Sequence, residues 1–308
     1  MWGINNIESE TLQKIRKKLL KHRQQKRKHP NKDNKILTDW NGLMIAALAK
    51  MGWILSKTKY NKIAQNAVDF IMDKLYDSNG NLLHRYIEGE AGVSANLNDY
   101  SFLIWGLIEL YQSTLKVDYL EAAINLNEQM LDKFWDEKRG GFYFASANKK
   151  DLIARNKKIY DGAKPSGNSI AFWNLTRLYH ITGNSKYENK ANNMIQAFFS
   201  KVNAAPTSFF LFLIGVDSLY KPSYNIVIVG EKNNNSTQTM VDILREQYLP
   251  NQIIILKSTK NNNKLTNLIN YIDDYDQVKD KTTVYICKNF NCKLPTTEQE
   301  KVKEQLKK

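Results

Sequence analysis

The chain is poor in cysteine, with only Cys287 and Cys292 among its 308 residues. Two thiols are too few for a disulfide scaffold and cannot close a zinc site, and their spacing is not Cys-x-x-Cys. The expectation is a structural pair of buried thiols in a reducing compartment. Long apolar runs are also missing: the longest, residues 209–216, is far below the ~20 needed to cross a bilayer. Residues 1–6 show no basic segment leading into an apolar one, so no secretion signal is expected and the reading is cytoplasmic, without a membrane partner. Glycine-rich phosphate motifs are absent as well. Gly140-Gly141 stands alone, and Gly230 ends a strand pattern without the further glycines a dinucleotide site needs. No metal site and no cofactor are expected.

Acidic residues are outnumbered, 31 against 45 Lys and Arg, giving a formal charge of +14. The excess is concentrated at positions such as Arg16, Lys17, Lys18, Lys21, Arg23, Lys26, Arg27 and Lys28. Neither aromatic interleaving nor a nucleic-acid motif accompanies it, so this is read as a solvated basic helix over about residues 8–28, with no nucleic-acid partner.

What the chain does contain is a repeat. Thr38-Asp39-Trp40-Asn41 opens a nearly all-apolar helix, and Asn98-Asp99-Tyr100-Ser101 and Ser166-Gly167-Asn168-Ser169 open two more. A shift of 59 positions carries Lys59-Tyr60 onto Asp118-Tyr119 and Asp73-Lys74-Leu75-Tyr76-Asp77 onto Asp132-Lys133-Phe134-Trp135-Asp136. A further shift of 68 carries Tyr119 onto Tyr187 and Leu107, Leu110 and Tyr111 onto Leu175, Leu178 and Tyr179. Each unit is therefore a helical hairpin with an apolar inner helix and an amphipathic outer one. A last helix near residues 208–219 resembles an inner helix without a following partner. After Pro222, β-branched runs at 225–230, 252–256 and 282–286 alternate with helical patterns, which predicts a small parallel sheet. The expected division is a basic helix (1–35), an incomplete hairpin array (36–221) and a small α/β subdomain (222–308).

The inner helices all begin at one end of the array, so Asp39, Trp40, Asn41, Asp99, Tyr100, Asp161, Ser166 and Asn168 should converge there. Carboxylates, amides and aromatic rings around one hollow suit a carbohydrate-like ligand, whose rings offer apolar faces for stacking and hydroxyls for hydrogen bonds. Asp39, Asn98 and Ser166 also read as ordinary helix caps, each worth ~1 kcal/mol. Trp40, Tyr100 and Asn168 are not required by a cap and are read as ligand-facing. Glycoside hydrolysis would need two carboxylates, for which Asp99 and Asp161 are the candidates. His84, in the first linker beside Arg85, reads as a surface histidine, and Arg85 as a further ligand contact.

The strings Lys35-Ile36-Leu37-Thr38-Asp39-Trp40-Asn41-Gly42, Asn98-Asp99-Tyr100-Ser101-Phe102-Leu103, Phe134-Trp135-Asp136 with Gly140-Gly141-Phe142, Tyr160-Asp161-Gly162-Ala163-Lys164-Pro165-Ser166-Gly167-Asn168-Ser169, and Cys287-Lys288-Asn289-Phe290-Asn291-Cys292 resemble the spermatogenesis-associated protein 20 family. Its members are described as thioredoxin-domain-containing proteins. Their helical part is similar to the (α/α) toroid of six-hairpin glycosidases and of the N-acylglucosamine 2-epimerase group. The resemblance implies a mostly α fold, a partial (α/α) six-hairpin-type toroid followed by the α/β subdomain. It also implies that the chain is the C-terminal part of such a protein. Isomerase, epimerase or hydrolase chemistry on a carbohydrate-like ligand would follow. The alternative is a non-catalytic half that assembles with a separately encoded thioredoxin-like half.

Overall fold

The computed structural model describes residues 6–147, 153–260, 263–289 and 291–306. Two compact units are present, residues 1–35 and residues 36–308. The first contains α1 (Asn6–Lys26), which ends in the basic turn Arg23 to Lys26 and leaves Leu12, Ile15, Leu19 and Leu20 exposed. Among the described residues no helix is long and apolar enough to cross a membrane.

In the second unit, β1 (Ile36–Leu37) runs into α2 (Thr38–Ile54), which pairs with α3 (Thr58–Lys74). The strands β2 (Leu83–Ile87) and β3 (Glu90–Ser94) follow, and then the hairpins α4 (Leu97–Thr114) with α5 (Val117–Phe134) and α6 (Gly167–Thr182) with α7 (Ser185–Ala204). Helix α8 (Phe210–Tyr220) closes the series by packing on α6. One turn residue marks each hairpin: Ser56, Leu115 and Gly183, with φ of 51°, 54° and 70°. These positions coincide under the 59- and 68-residue shifts, so the backbone repeats where the side chains do not. Glycine is the natural residue for a left-handed turn; serine and leucine adopt it here at a steric cost.

The inner helices form a layer in which α4 lies between α2 and α6. Contact of α2 with α4 is nearly backbone to backbone. A Cβ on Gly42 would lie 2.5 Å from the Phe102 carbonyl carbon, and one on Gly106 2.8 Å from the Gly42 carbonyl oxygen. The outer helices bury Ala64, Val68 and Ile71, then Leu120, Ala123 and Met130, then Ala191, Met194 and Phe198, into one continuous core. The first linker forms β2 and β3, which pair with β1 in the antiparallel ribbon β1-β2-β3, and its tip is Glu88-Gly89. The aspartate that closes each of the first two units, Asp77 or Asp136, accepts backbone N–H groups two to four residues on and shapes the turn there.

The last part of the unit holds β4 (Tyr224–Val229), α9 (Asn235–Arg245), β5 (Gln252–Lys257), α10 (Asn263–Leu268), β6 (Thr283–Lys288), β7 (Asn291–Cys292) and α11 (Gln299–Leu306), with strand order β5-β4-β6-β7. Strands β4 and β5 are parallel, as expected, but β6 enters antiparallel to β4. The Lys257 ammonium donates to the carbonyls of Asp273 and Tyr275, at 3.2 and 2.6 Å. That keeps the β5–β6 connection at the end of the sheet where β5 finishes, so the chain re-enters from that end. Side chains alternate along the strands: Val227, Val229, Ile253 and Ile255 join the core of the hairpins, whereas Ile226, Ile228, Ile254, Val284 and Ile286 face α9 and α11. The sheet and the hairpin array therefore share a core inside one compact unit. The side-chain amide of Gln112 joins them at the backbone, accepting from Ile254 N–H at 2.9 Å and donating to Ile254 C=O at 3.2 Å.

Cys287 and Cys292 face one another across the β6–β7 pair and are joined by a disulfide. This corrects the expectation of buried free thiols. A tight antiparallel hairpin brings the two positions opposite each other, and only Cys287 is buried.

Gly42→Ala should lower stability by about 1–3 kcal/mol, because the methyl group must push two backbones apart. Urea unfolding followed by circular dichroism measures this, and an unchanged midpoint would show that the α2–α4 contact is looser than described.

Candidate functional site

At the N-terminal end of the inner helices the chain builds a buried cluster from Asp39, His84 and Asp99, one ligand atom of each lying within 4.8 Å of the others. Asp99 is the centre. Its carboxylate accepts from Asn96 N–H at 2.8 Å, which completes a capping box on α4, and from Asp39 N–H at 3.1 Å. It also takes His84 Nδ1 at 2.8 and 3.0 Å. Burial pushes the Asp99 carboxyl up from its ordinary value, while its His84 and Asn96 donors pull it down. The Asp99 hydrogen bond raises the His84 imidazole above its ordinary 6.5, against the effect of burial. With Nδ1 committed to Asp99, Nε2 has no hydrogen-bond partner among the described residues. His84 keeps 26% of its side chain accessible, whereas Asp99 has none.

Asp39 completes the cluster. It accepts from Trp40 N–H at 2.9 Å and pairs with the Lys164 ammonium at 2.9 Å, the lysine side chain being 46% exposed. A divalent cation would have to displace both this ammonium and the His84 proton, so the donor set fits proton transfer better than metal binding. The sequence reading takes His84 for a surface histidine, whereas it is half-buried on Asp99, and it gives Lys164 no role. The signal that could have found His84 is the alternation of the 83–87 strand, which sends His84 and Arg85 to opposite faces. Arg85, half-buried in β2, therefore points away from the Asp99 side.

The other expected site residues are dispersed. Trp40 is 61% exposed on α2. Asn41 donates its side-chain amide to Leu37 C=O at 2.8 Å. Tyr100 is buried edge-on against Phe134, its hydroxyl pushed up to about 12 by burial, so it does not face an opening. Asp161 accepts from the backbone N–H groups of Ser166, Leu211 and Phe212 at 2.8, 3.0 and 3.3 Å, tying the start of α8 to the loop before α6. Ser166 caps α6 through Ser169 N–H. Asn168 is buried, receiving Phe142 N–H and donating to Phe142 C=O and Lys158 C=O. The carboxylates that the fold brings together are thus Asp39 and Asp99, not Asp99 and Asp161. Of the three expected caps, Ser166 acts as one. Asn96 caps α4 in place of Asn98, and α2 starts without a side-chain cap, with Asp39 in its first turn.

Farther along the inner layer lies a second cluster that the repeat register encodes. Lys50, Glu109 and Arg177 occupy one position of the three units, since the 59-residue shift carries Lys50 onto Glu109 and the 68-residue shift carries Glu109 onto Arg177. Glu109 is buried and takes Arg177 at 2.8 Å, Trp105 Nε1 at 3.1 Å and Lys50 at 3.8 Å. Burial would raise its carboxyl, but Arg177 and Lys50 outweigh burial and hold it below the ordinary value. Trp105 and Trp173, also in register, meet edge-on with ring centroids 5.2 Å apart, and the Arg177 guanidinium stacks on Trp173 at 5.3 Å. Paired carboxylate and guanidinium groups beside two indoles are the side-chain types that sugar sites use.

These features define the class, an array of (α/α) hairpins of the toroid type with polar clusters on its inner layer. A family 76 glycoside hydrolase from a bovine Bacteroides thetaiotaomicron strain has this fold, with a TM-score of 0.50 at 18% identity over 70% of this chain and 49% of that one. Cellobiose 2-epimerase from Bacillus thermoamylovorans aligns over 56% of this chain and 47% of its own, with 17% identity and a TM-score of 0.48. No family model matches the chain. In sequence it is similar to spermatogenesis-associated protein 20, with 28% identity to the human protein over 287 residues, which are 89% of this chain and 36% of that one. The chain thus spans about a third of the length of the curated relatives it matches.

Because the His84 value is raised, its pair with Asp99 stabilises the fold fully below pH 6.5, and that contribution is lost as pH rises through the raised value. The stability gap between wild type and His84→Gln should therefore shrink from acid to alkaline solution, and the His84 NMR titration midpoint should fall in Asp99→Asn. A midpoint unmoved by that variant would remove the dyad. Asp161→Ala should cost stability by about 1–3 kcal/mol through three unpaired backbone donors, as read by urea unfolding. A variant as stable as wild type would make Asp161 a candidate catalytic carboxylate again.

Proposed function

We propose that this protein binds a carbohydrate-like ligand at the N-terminal end of its inner helices, and that His84 moves a proton there. The observation that carries this reading is the Asp99–His84 pair. A fully buried carboxylate holds Nδ1 and leaves Nε2 of a partly accessible ring available, the arrangement a general base needs. Removing a proton from the carbon beside a sugar carbonyl and returning it on the other face, or on the neighbouring carbon, is epimerisation or isomerisation. The Lys164 ammonium supplies positive charge for the oxygen that becomes negative in that step. Hydrolysis is less well served. Asp99 and Asp161 spend their oxygens on internal donors, and those of Asp39 are taken by Trp40 N–H and the Lys164 ammonium.

A second reading, assembly with a thioredoxin-like half, is favoured by the exposed apolar residues at the two ends of the inner layer. Trp40, Met44, Met51 and Ile54 form one stripe on α2, and Phe210, Ile214 and Tyr220 another on α8. Contiguous apolar surface of this kind normally finds a partner. Light scattering of the purified chain, alone and with such a half, tests it.

For the enzymatic reading, the protein is incubated with aldoses and ketoses in deuterated water, and exchange at the carbon next to the carbonyl is followed by NMR. Exchange with one sugar, reduced by about 10²–10⁴-fold in His84→Gln with the fold intact, is expected. No exchange and no sugar-induced shift in melting temperature across the panel would overturn the proposal.

A further inference from the structure

At the opposite end of α2, whose last residue is 15 helical rises or about 22 Å from Asp39, lies a cavity of about 610 Å³ between the hairpin turns and α9. Its volume falls in the range of small-molecule sites. Lys59, Lys62, Lys116, Lys232 and Arg245 line it, against one acid, Asp242. That acid is already paired with Arg245, whose guanidinium also donates to Ser56 Oγ at 2.9 Å and stacks on Trp53. None of the four lysines is in an ion pair among the described residues. The Lys232 ammonium donates to Thr114 C=O, and desolvation there, together with the charge of Lys116, lowers its affinity for a proton. Like charges gathered this way repel unless an anion joins them.

The helix ends agree with the charges. Helices α3 and α5 both start at this cavity, with Lys57 and Lys116 at their cap positions and no side-chain cap in either. A cation at an uncapped helix N-terminus is unfavourable against the macrodipole, whereas an anion there would accept from the free backbone N–H groups. The first turn of α9 contributes Thr237 and Gln238, and Val241 and Leu256 supply an apolar wall.

We propose that this cavity is a binding site for a phosphate-bearing small molecule, its phosphate held by Lys116 at the start of α5 and by Lys232 in the loop between β4 and α9. The site is separate from the Asp99–His84 cluster, and nothing in it requires a sugar to bind there.

Isothermal titration of the full chain with pyrophosphate, ADP and glucose 6-phosphate tests the assignment. Saturable binding of at least one is expected, weakened about tenfold or more in Lys232→Glu and in Lys116→Glu, and unchanged when Lys17 and Lys21 of α1 are replaced by glutamate. Equal affinity for the three probes would assign the site to the phosphate group itself, and tighter ADP or glucose 6-phosphate would assign it to a nucleotide or a sugar phosphate. Lys59→Glu, on the exposed rim of the cavity, gives a second reading if Lys232→Glu does not fold. No saturable binding of any probe, or equal weakening by the α1 replacements, would overturn the proposal.

Discussion

The structure of the second unit turns on one buried carboxylate. Asp99 accepts from Asn96 at the head of α4, from Asp39 in the first turn of α2, and from His84 on the ribbon between the first two hairpins. A carboxylate removed from water is costly unless its oxygens are filled, and three donors from three segments fill them. The same bonds that make the burial tolerable fix where two inner helices start and how the His84 ring is turned. Local capping, packing and the chemistry of the site are therefore one arrangement.

Away from that point the array is held by close approach. Gly42 and Gly106 let α2 and α4 touch through their backbones, and the layer they begin continues through α6 to α8. The charged trio Lys50, Glu109 and Arg177 sits within this layer and matches the hairpins one by one. Sliding one hairpin past its neighbour would leave Glu109 buried without compensation, a strongly unfavourable state. Apolar packing makes the layer cohere, and the trio fixes its register.

The hairpins were legible because periodicity and repeat spacing are properties of the chain itself. Ser56, Leu115 and Gly183 confirm the register even though no two are alike. The fold class followed from the same repeat and from the family resemblance. Less of the site could be read. His84 lies in a linker, and its importance comes from a ribbon that sets it against a residue 15 positions away. Asp161, Asn168 and Tyr100 are consumed by loop anchoring and core packing, which residue type alone does not reveal. The trio lies in register under the 59- and 68-residue shifts, but a single Lys, Glu or Arg within a helix carries no local sign that it is buried or paired. The direction of β6 depends on where Lys257 anchors a loop, a tertiary contact with no local signature. The disulfide depends on cross-strand register in the same way.

The sheet also has a bearing on how copies of this protein meet. An open sheet carries two edges able to recruit strands from another molecule. One edge is β7, two residues long and covalently tied to its neighbour, so an incoming chain finds almost no ladder to extend. Along the other edge, the amide of Gln112 occupies both the N–H and the C=O of Ile254 and takes the place a foreign strand would need. Fibril-like growth through this sheet is thereby discouraged in a chain rich in Ile and Val strands.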